Sequence, residues 1–206
     1  MIYIIESYKN KKLSKIYNNS IQKLDSFFGI KWIRNKPEIF IIKNKEDINK
    51  MNPKPPYKIK GWVKNNNIFL LEKKAWEKEH KKLNPNYYKE NILHEMTHSY
   101  FLQLSNKNKK PDWLWEGIAN YISGTYMKNS IEKFQTFLNH FEKKDKEVYQ
   151  ESGFVVKLLI EKCGKEKILE LIKTLKKNES ENSFKKTFEK IYKFKLNYKN
   201  LNNFTP

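Results

Sequence analysis

Near the N-terminus, Leu13, Ile16, Tyr17, Ser20, Ile21, Leu24 and Phe28 recur at helical spacing and form one stripe, which Gly29 stops. Glu38 to Lys43 is a short apolar run rich in β-branched residues, and it predicts a buried strand. Asn52 to Pro56, with Pro53, Pro55 and Pro56, predicts a loop. Gly61 to Val63 and Ile68 to Leu71 predict two further strands joined by a turn at Asn65-Asn66-Asn67. Asn84-Pro85 reads as a cap and first position of a helix that runs to about Leu104. A basic loop, Lys107 to Lys110, closes at Pro111. Asp112 then caps a helix with the apolar face Leu114, Ile118, Tyr121 and Ile122, ending at Gly124. Apolar segments follow at Ile131 to Phe141, Val155 to Lys162 and Ile168 to Lys176, and Phe184, Phe188 and Ile191 stand at i, i+4 and i+7. Early strands followed by helices predict an α+β fold. With no repeat and no linker, the expected organisation is one domain over 1–206, with lobes at about 1–105 and about 106–206.

Composition agrees with one core: 206 residues, 38% hydrophobic and 15% aromatic, leave little room for a second. The net charge of +19 calls for an acidic partner such as nucleic acid or an anionic surface. Arg34, however, is the single arginine among 42 basic residues, and nucleic-acid readers favour the planar arginine fork. The lysines are spread through every segment beside many Asn and Ile, as solvated positions are, so no specific nucleic-acid face is expected. Cys163 is alone, which excludes an intramolecular disulfide and a thiolate metal cluster. The opening run Met1 to Ile5 is too short for a signal-peptide core, and no stretch reaches transmembrane length. The default expectation is a cytoplasmic protein, or a secreted one if a leader was trimmed.

Chemistry enters at His94-Glu95-Met96-Thr97-His98. Residues four apart on a helix share a face, so His94 and His98 aim two imidazoles at one point, a natural pair of zinc ligands. Glu95 is turned by roughly 100° from His94 and flanks the metal as a base for the attacking water. A buried or solvated helix also meets this pattern by chance, but a buried Glu with two His needs partners, which a metal supplies. Catalytic zinc wants three protein ligands and an open position. Glu116, the only acid in Trp113 to Tyr121, is positioned by a short loop to return toward the histidines as the third ligand. A glutamate in a first helical turn also suits the helix dipole. Asn120, one turn after Glu116, is a candidate to orient a ligand imidazole. His80 and His140 have no partner at ligand spacing and read as surface residues, and Cys163 reads as core filler. Strand Ile68, Phe69, Leu70 could hold an extended substrate by backbone pairing.

His94 to His98 followed by Trp113-Leu114-Trp115-Glu116-Gly117-Ile118-Ala119 resembles the gluzincin metallopeptidases, specifically the compact peptidase-MA-like group related to the aminopeptidase catalytic domain. The resemblance implies a zincin-like fold, with a small N-terminal mixed sheet packed on the active-site helix and a mainly helical C-terminal lobe. It implies one Zn2+ per chain, Glu116 as third ligand, and Gly61 to Leu71 as the edge strand before the active-site helix. It also implies an oxyanion-stabilising tyrosine, for which Tyr149-Gln150-Glu151-Ser152-Gly153 is the matching segment. The family's glycine stands closer to its tyrosine, and packing is the other role open to Tyr149.

The expected function is therefore a zinc-dependent peptidase acting on peptides or proteins, with Glu95 as general base. Two rivals stand beside it: a catalytically silent zincin-like binding module, and a basic nucleic-acid-binding protein whose salt dependence would be steep.

Overall fold

The computed structural model describes residues 9–51, 60–128, 130–142 and 146–204, with backbone alone for 146–149. The first stripe is helix α1, Lys11–Phe28. The Asn10 side chain accepts from the Leu13 N–H at its start, and Gly29 closes it in the left-handed region at φ 65°. Strand β1 is Ile39–Ile42, and helix α2, Lys45–Met51, follows. The expected loop from Asn52 to Pro56 lies outside the described residues.

Strands β2, Gly61–Lys64, and β3, Asn67–Leu71, form a hairpin in the expected place. Asn65 and Asn66 both sit at positive φ, 50° and 64°, as a two-residue turn between right-twisted strands requires. The sheet has the order β1-β3-β2, β1 parallel to β3 and β2 antiparallel to it. Ile39 pairs with Ile68, and Gly61 with Leu70. This makes β3 the central strand. Only Ile42 of β1 is buried, so the strand expected to be buried is an edge strand covered on part of one face. Ile68 and Leu70 face the main core, whereas Phe69 stacks between Phe40 and Trp62 on the other side.

Helix α3, Lys73–His80, leads to α4, Tyr87–Leu104. The start of α4 falls two residues after the expected Pro85. Asn84 makes a turn instead of a cap: its side chain accepts from the Asn86 N–H and donates to Glu90. Helix α4 is buried almost all round, and its polar residues Asn91 and Thr97 return their side chains to the carbonyls of Tyr87 and Leu93. Helix α1 is docked on it by Tyr100, whose hydroxyl donates to Asp25 at 2.5 Å.

Helix α5, Asp112–Ser123, returns alongside α4 and ends at Gly124 in the left-handed region. The segment Ile131 to Phe141 is irregular apart from a single tight turn at Phe137–Asn139. It is fastened by Glu151, whose carboxylate accepts from the N–H groups of Gln135, Thr136 and Phe137. Helices α6, Lys146–Cys163, α7, Lys165–Thr174, α8, Glu181–Tyr192, and α9, Tyr198–Asn202, complete the described chain. Phe184, Phe188 and Ile191 are buried along α8 as their spacing requires. The architecture is α+β, mostly helical with a small three-stranded mixed sheet. Its main core joins α1, α4, α5, α6, α7 and α8; a smaller one lies between β3, α3 and Tyr87. No helix among the described residues is long and apolar enough to cross a membrane.

Candidate metal centre

Helix α4 carries His94, Glu95 and His98 in its middle turns, flanked by the buried Leu93 and Met96. The connection to α5 is held rather than loose. Ser105 donates to the Asn108 carbonyl, Asn108 accepts from the Lys110 N–H, and Asn106 and Asn108 donate to the carbonyls of Leu175 and Lys176. These bonds tie the loop to the end of α7. The first amides of α5, at Asp112 and Trp113, donate to the carbonyls of Phe141 and His140.

Helix α5 packs most extensively on α6, and two glycines permit the approach. A Cβ on Gly117 would stand 2.6 Å from the Ser152 carbonyl oxygen, and one on Gly153 would stand 2.4 Å from Tyr126 Cβ. At Gly117 the α5 backbone meets that of α6 directly, and at Gly153 the α6 backbone admits the side chains of Tyr126 and Asn120. Glu116 is thereby turned toward α4.

The three candidate ligands come together. Glu116 Oε2 lies 3.4 Å from His94 Nε2 and 3.6 Å from His98 Nε2, and one ligand atom of each residue falls within a 4.8 Å cluster. Atoms at about 2.0–2.1 Å from a tetrahedral ion stand roughly 3.3 Å apart, so the spacing fits a divalent metal. The donor set, two imidazole nitrogens and one carboxylate oxygen, also fits one. The His94 side chain is 15% exposed, against 7% for His98 and 2% for Glu116, so the centre opens on the His94 side.

Aromatic packing fixes the imidazoles. The His98 ring lies flat on Trp115, centroids 4.1 Å apart and planes 8° from parallel, and Lys109 covers the Trp115 ring at 5.6 Å. The His94 ring stands edge-on to His98 at 4.8 Å. Burial works against a charged His94. The hydrogen bond to Glu116 and the nearby charges of Glu95 and Glu116 outweigh it, and the pKa is raised above 6.5 despite an opposing contribution from Lys60.

Glu95 is buried and lies against β2: a Cβ on Gly61 would sit 3.4 Å from Glu95 Cγ. Among the described residues β2 is the edge strand of the sheet that lies beside Glu95. The expected backbone pairing by Ile68, Phe69 and Leu70 does not hold, because β3 is flanked by β1 and β2 and both its edges are taken. Asn120 also departs from its expected role. Its side chain donates to Ser152 Oγ at 3.4 Å and accepts from Thr125 Oγ1 at 3.0 Å, joining α5 to α6 rather than orienting an imidazole. Tyr149 falls in the first turns of α6, and its side chain lies outside the described part. His140 is buried, not a surface residue, and His80 stacks on Trp76.

Trp115, Gly61, Gly117 and Lys60 were not singled out by spacing. Trp115 adjoins Glu116 in the sequence, which is a signal of a kind. Lys60 is one lysine among many and carries none.

A family model described as "Peptidase of plants and bacteria" matches residues 65–192, more than half of the chain and a span that holds His94, Glu95, His98 and Glu116. Comparisons with curated proteins and with solved structures give no match.

Proposed function

The chain belongs to the family of peptidases of plants and bacteria, and from that membership we propose that it is a zinc-dependent peptidase of the gluzincin, zincin-like type. The observation that carries the reading is the convergence of His94, His98 and Glu116 on one point, with Glu95 beside it. In this reading those three side chains hold Zn2+. The ion, when bound, supplies a Lewis acid that polarises the scissile carbonyl and acidifies the attacking water.

The rest belongs to the chain's own residues. The Glu95 carboxylate takes the proton of the water as it attacks, and returns it to the leaving amine. Its burial excludes bulk water and keeps the proton between these two partners. An extended peptide pairs with the outer edge of β2, the strand that lies against Glu95 at Gly61. Trp115 holds the His98 ring in one orientation, so the ligand does not reorganise when a substrate enters. Tyr149 remains the candidate donor to the developing oxyanion, as the resemblance implies.

The test is elemental analysis of purified wild type, His94→Ala, Glu116→Ala and Glu95→Gln proteins, followed by cleavage of a peptide library. The expected result is about one zinc per chain in wild type and in Glu95→Gln, and loss in the other two. Turnover should fall by about 10²-fold or more in Glu95→Gln. A folded wild type that takes no zinc after reconstitution would overturn the reading, and an active Glu95→Gln protein would overturn the role of Glu95.

A further inference from the structure

Lys60 stands immediately before β2, and its carbonyl accepts from the Leu71 N–H at 2.9 Å, which fixes its backbone to the sheet. The next residue is Gly61, the one that abuts Glu95. The Lys60 side chain is partly buried, with its ammonium 5.2 Å from the centre of the Trp76 ring. Its electrostatic neighbours are Lys128, Glu90 and Lys82. Glu90 is the one carboxylate among them. That carboxylate is already engaged, since Glu90 pairs with Lys128 and accepts from the Asn84 amide. Among the described residues Lys60 has no ion pair of its own.

Burial, and then the repulsion of Lys128, press the pKa of Lys60 below its ordinary value. A cation in such a place is held at a cost that an arriving anion relieves. Lys60 directly precedes Gly61, which lies against Glu95, so an anion paired with the lysine sits beside the centre. A side chain paired with Lys60 therefore lies close to the bond beside Glu95.

Resting on the peptidase reading, we propose that Lys60, flanked by Lys82 and Lys128, is a specificity-determining residue that selects peptides with an Asp or Glu side chain close to the bond cleaved. The partner is an acidic peptide rather than a nucleic acid, because Lys60 adjoins β2, an edge strand of the sheet among the described residues, and no arginine contributes to the cluster.

The test uses three pools of short peptides, otherwise neutral, that carry Glu, Gln or Lys at one position. Each pool is given to zinc-loaded wild type, Lys60→Gln and Lys60→Glu proteins, and kcat/KM is compared between pools within each protein. Wild type should favour the Glu pool over the Gln pool by about fivefold at low salt. Lys60→Gln should bring the ratio near one, and Lys60→Glu should turn the preference toward the Lys pool. Thermal unfolding of each variant guards against misfolding. Cleavage of all pools with the same ratio in wild type and Lys60→Glu would overturn the inference and leave the peptidase reading standing.

Binding separates the two claims. Anisotropy of fluorescein-labelled pools on Glu95→Gln and Glu95→Gln/Lys60→Glu proteins reads Lys60 without turnover. A Glu preference that the second change abolishes supports the role of Lys60 even if wild type cleaves nothing, in which case only the peptidase reading fails. Tight binding of a short oligonucleotide that displaces the Glu pool would overturn the assignment to peptides.

Discussion

His94 holds a proton more readily than a free imidazole, and the sign of the consequence differs with and without metal. In the metal-free protein its pKa is raised above 6.5 in the folded state. Its contribution to stability is then fully present below 6.5 and is lost as pH rises through the raised value. Zinc needs the neutral imidazole, so zinc affinity should climb across the same window. Denaturant unfolding of chelated protein against pH, with the His94→Ala curve subtracted, should slope opposite to the zinc affinity measured by chelator competition. Parallel slopes would contradict the assignment of the proton to His94. At this scale the sequence was most informative where function depends on spacing along one helix: His94, Glu95 and His98 are placed by helical geometry alone. Asn120 was misread because its partners, Ser152 and Thr125, come from α6 and the turn after α5. Lys60 was silent because its meaning comes from the elements packed around it.

Between elements, the close crossing of α5 and α6 decides where Glu116 stands. Gly153→Ala gains helix propensity of about 1 kcal/mol. It also drives a methyl group to 2.4 Å from Tyr126 Cβ, just beyond α5, and to 3.1 Å from Asn120 Cβ on α5 itself, both inside contact distance. Overpacking of that kind costs about 1–3 kcal/mol and should outweigh the gain. The expected result is a lower urea midpoint with an unchanged slope, together with weaker zinc binding as α5 shifts. Unchanged zinc affinity in a destabilised variant would mean that the crossing serves stability alone. Element ends were legible where local chemistry sets them: Gly29 on α1, the Asn65-Asn66 turn, and Gly124 after α5. Strand order was not legible. The parallel pairing of β1 with β3 crosses over α2, and no local signal in Ile39–Ile42 says which strand it will meet. On the proposed reading, this is why the substrate would pair with β2 and not with β3.

Over the whole molecule, α4 is the shared wall of both the sheet and the helical core, and every candidate ligand lies on it or faces it. The charge of +19 is carried almost wholly by lysine, and the Lys60 cluster gives a part of it a local use. The single cysteine leaves the chain without a disulfide of its own. On the proposed reading, the ligand triad takes that office. A zinc ion between α4 and α5 would cross-link two helices whose connecting loop is tied by hydrogen bonds to the end of α7. At a thousandfold excess over its dissociation constant such an ion adds about 4 kcal/mol, or roughly 8–16 °C in Tm for a chain of this size. Chelation should remove that increment reversibly, as seen by differential scanning calorimetry, and His98→Ala should show none to remove. A chelator would then be to this protein what a reducing agent is to a disulfide-bonded one, and its fold would respond to the zinc of its surroundings instead of their redox state.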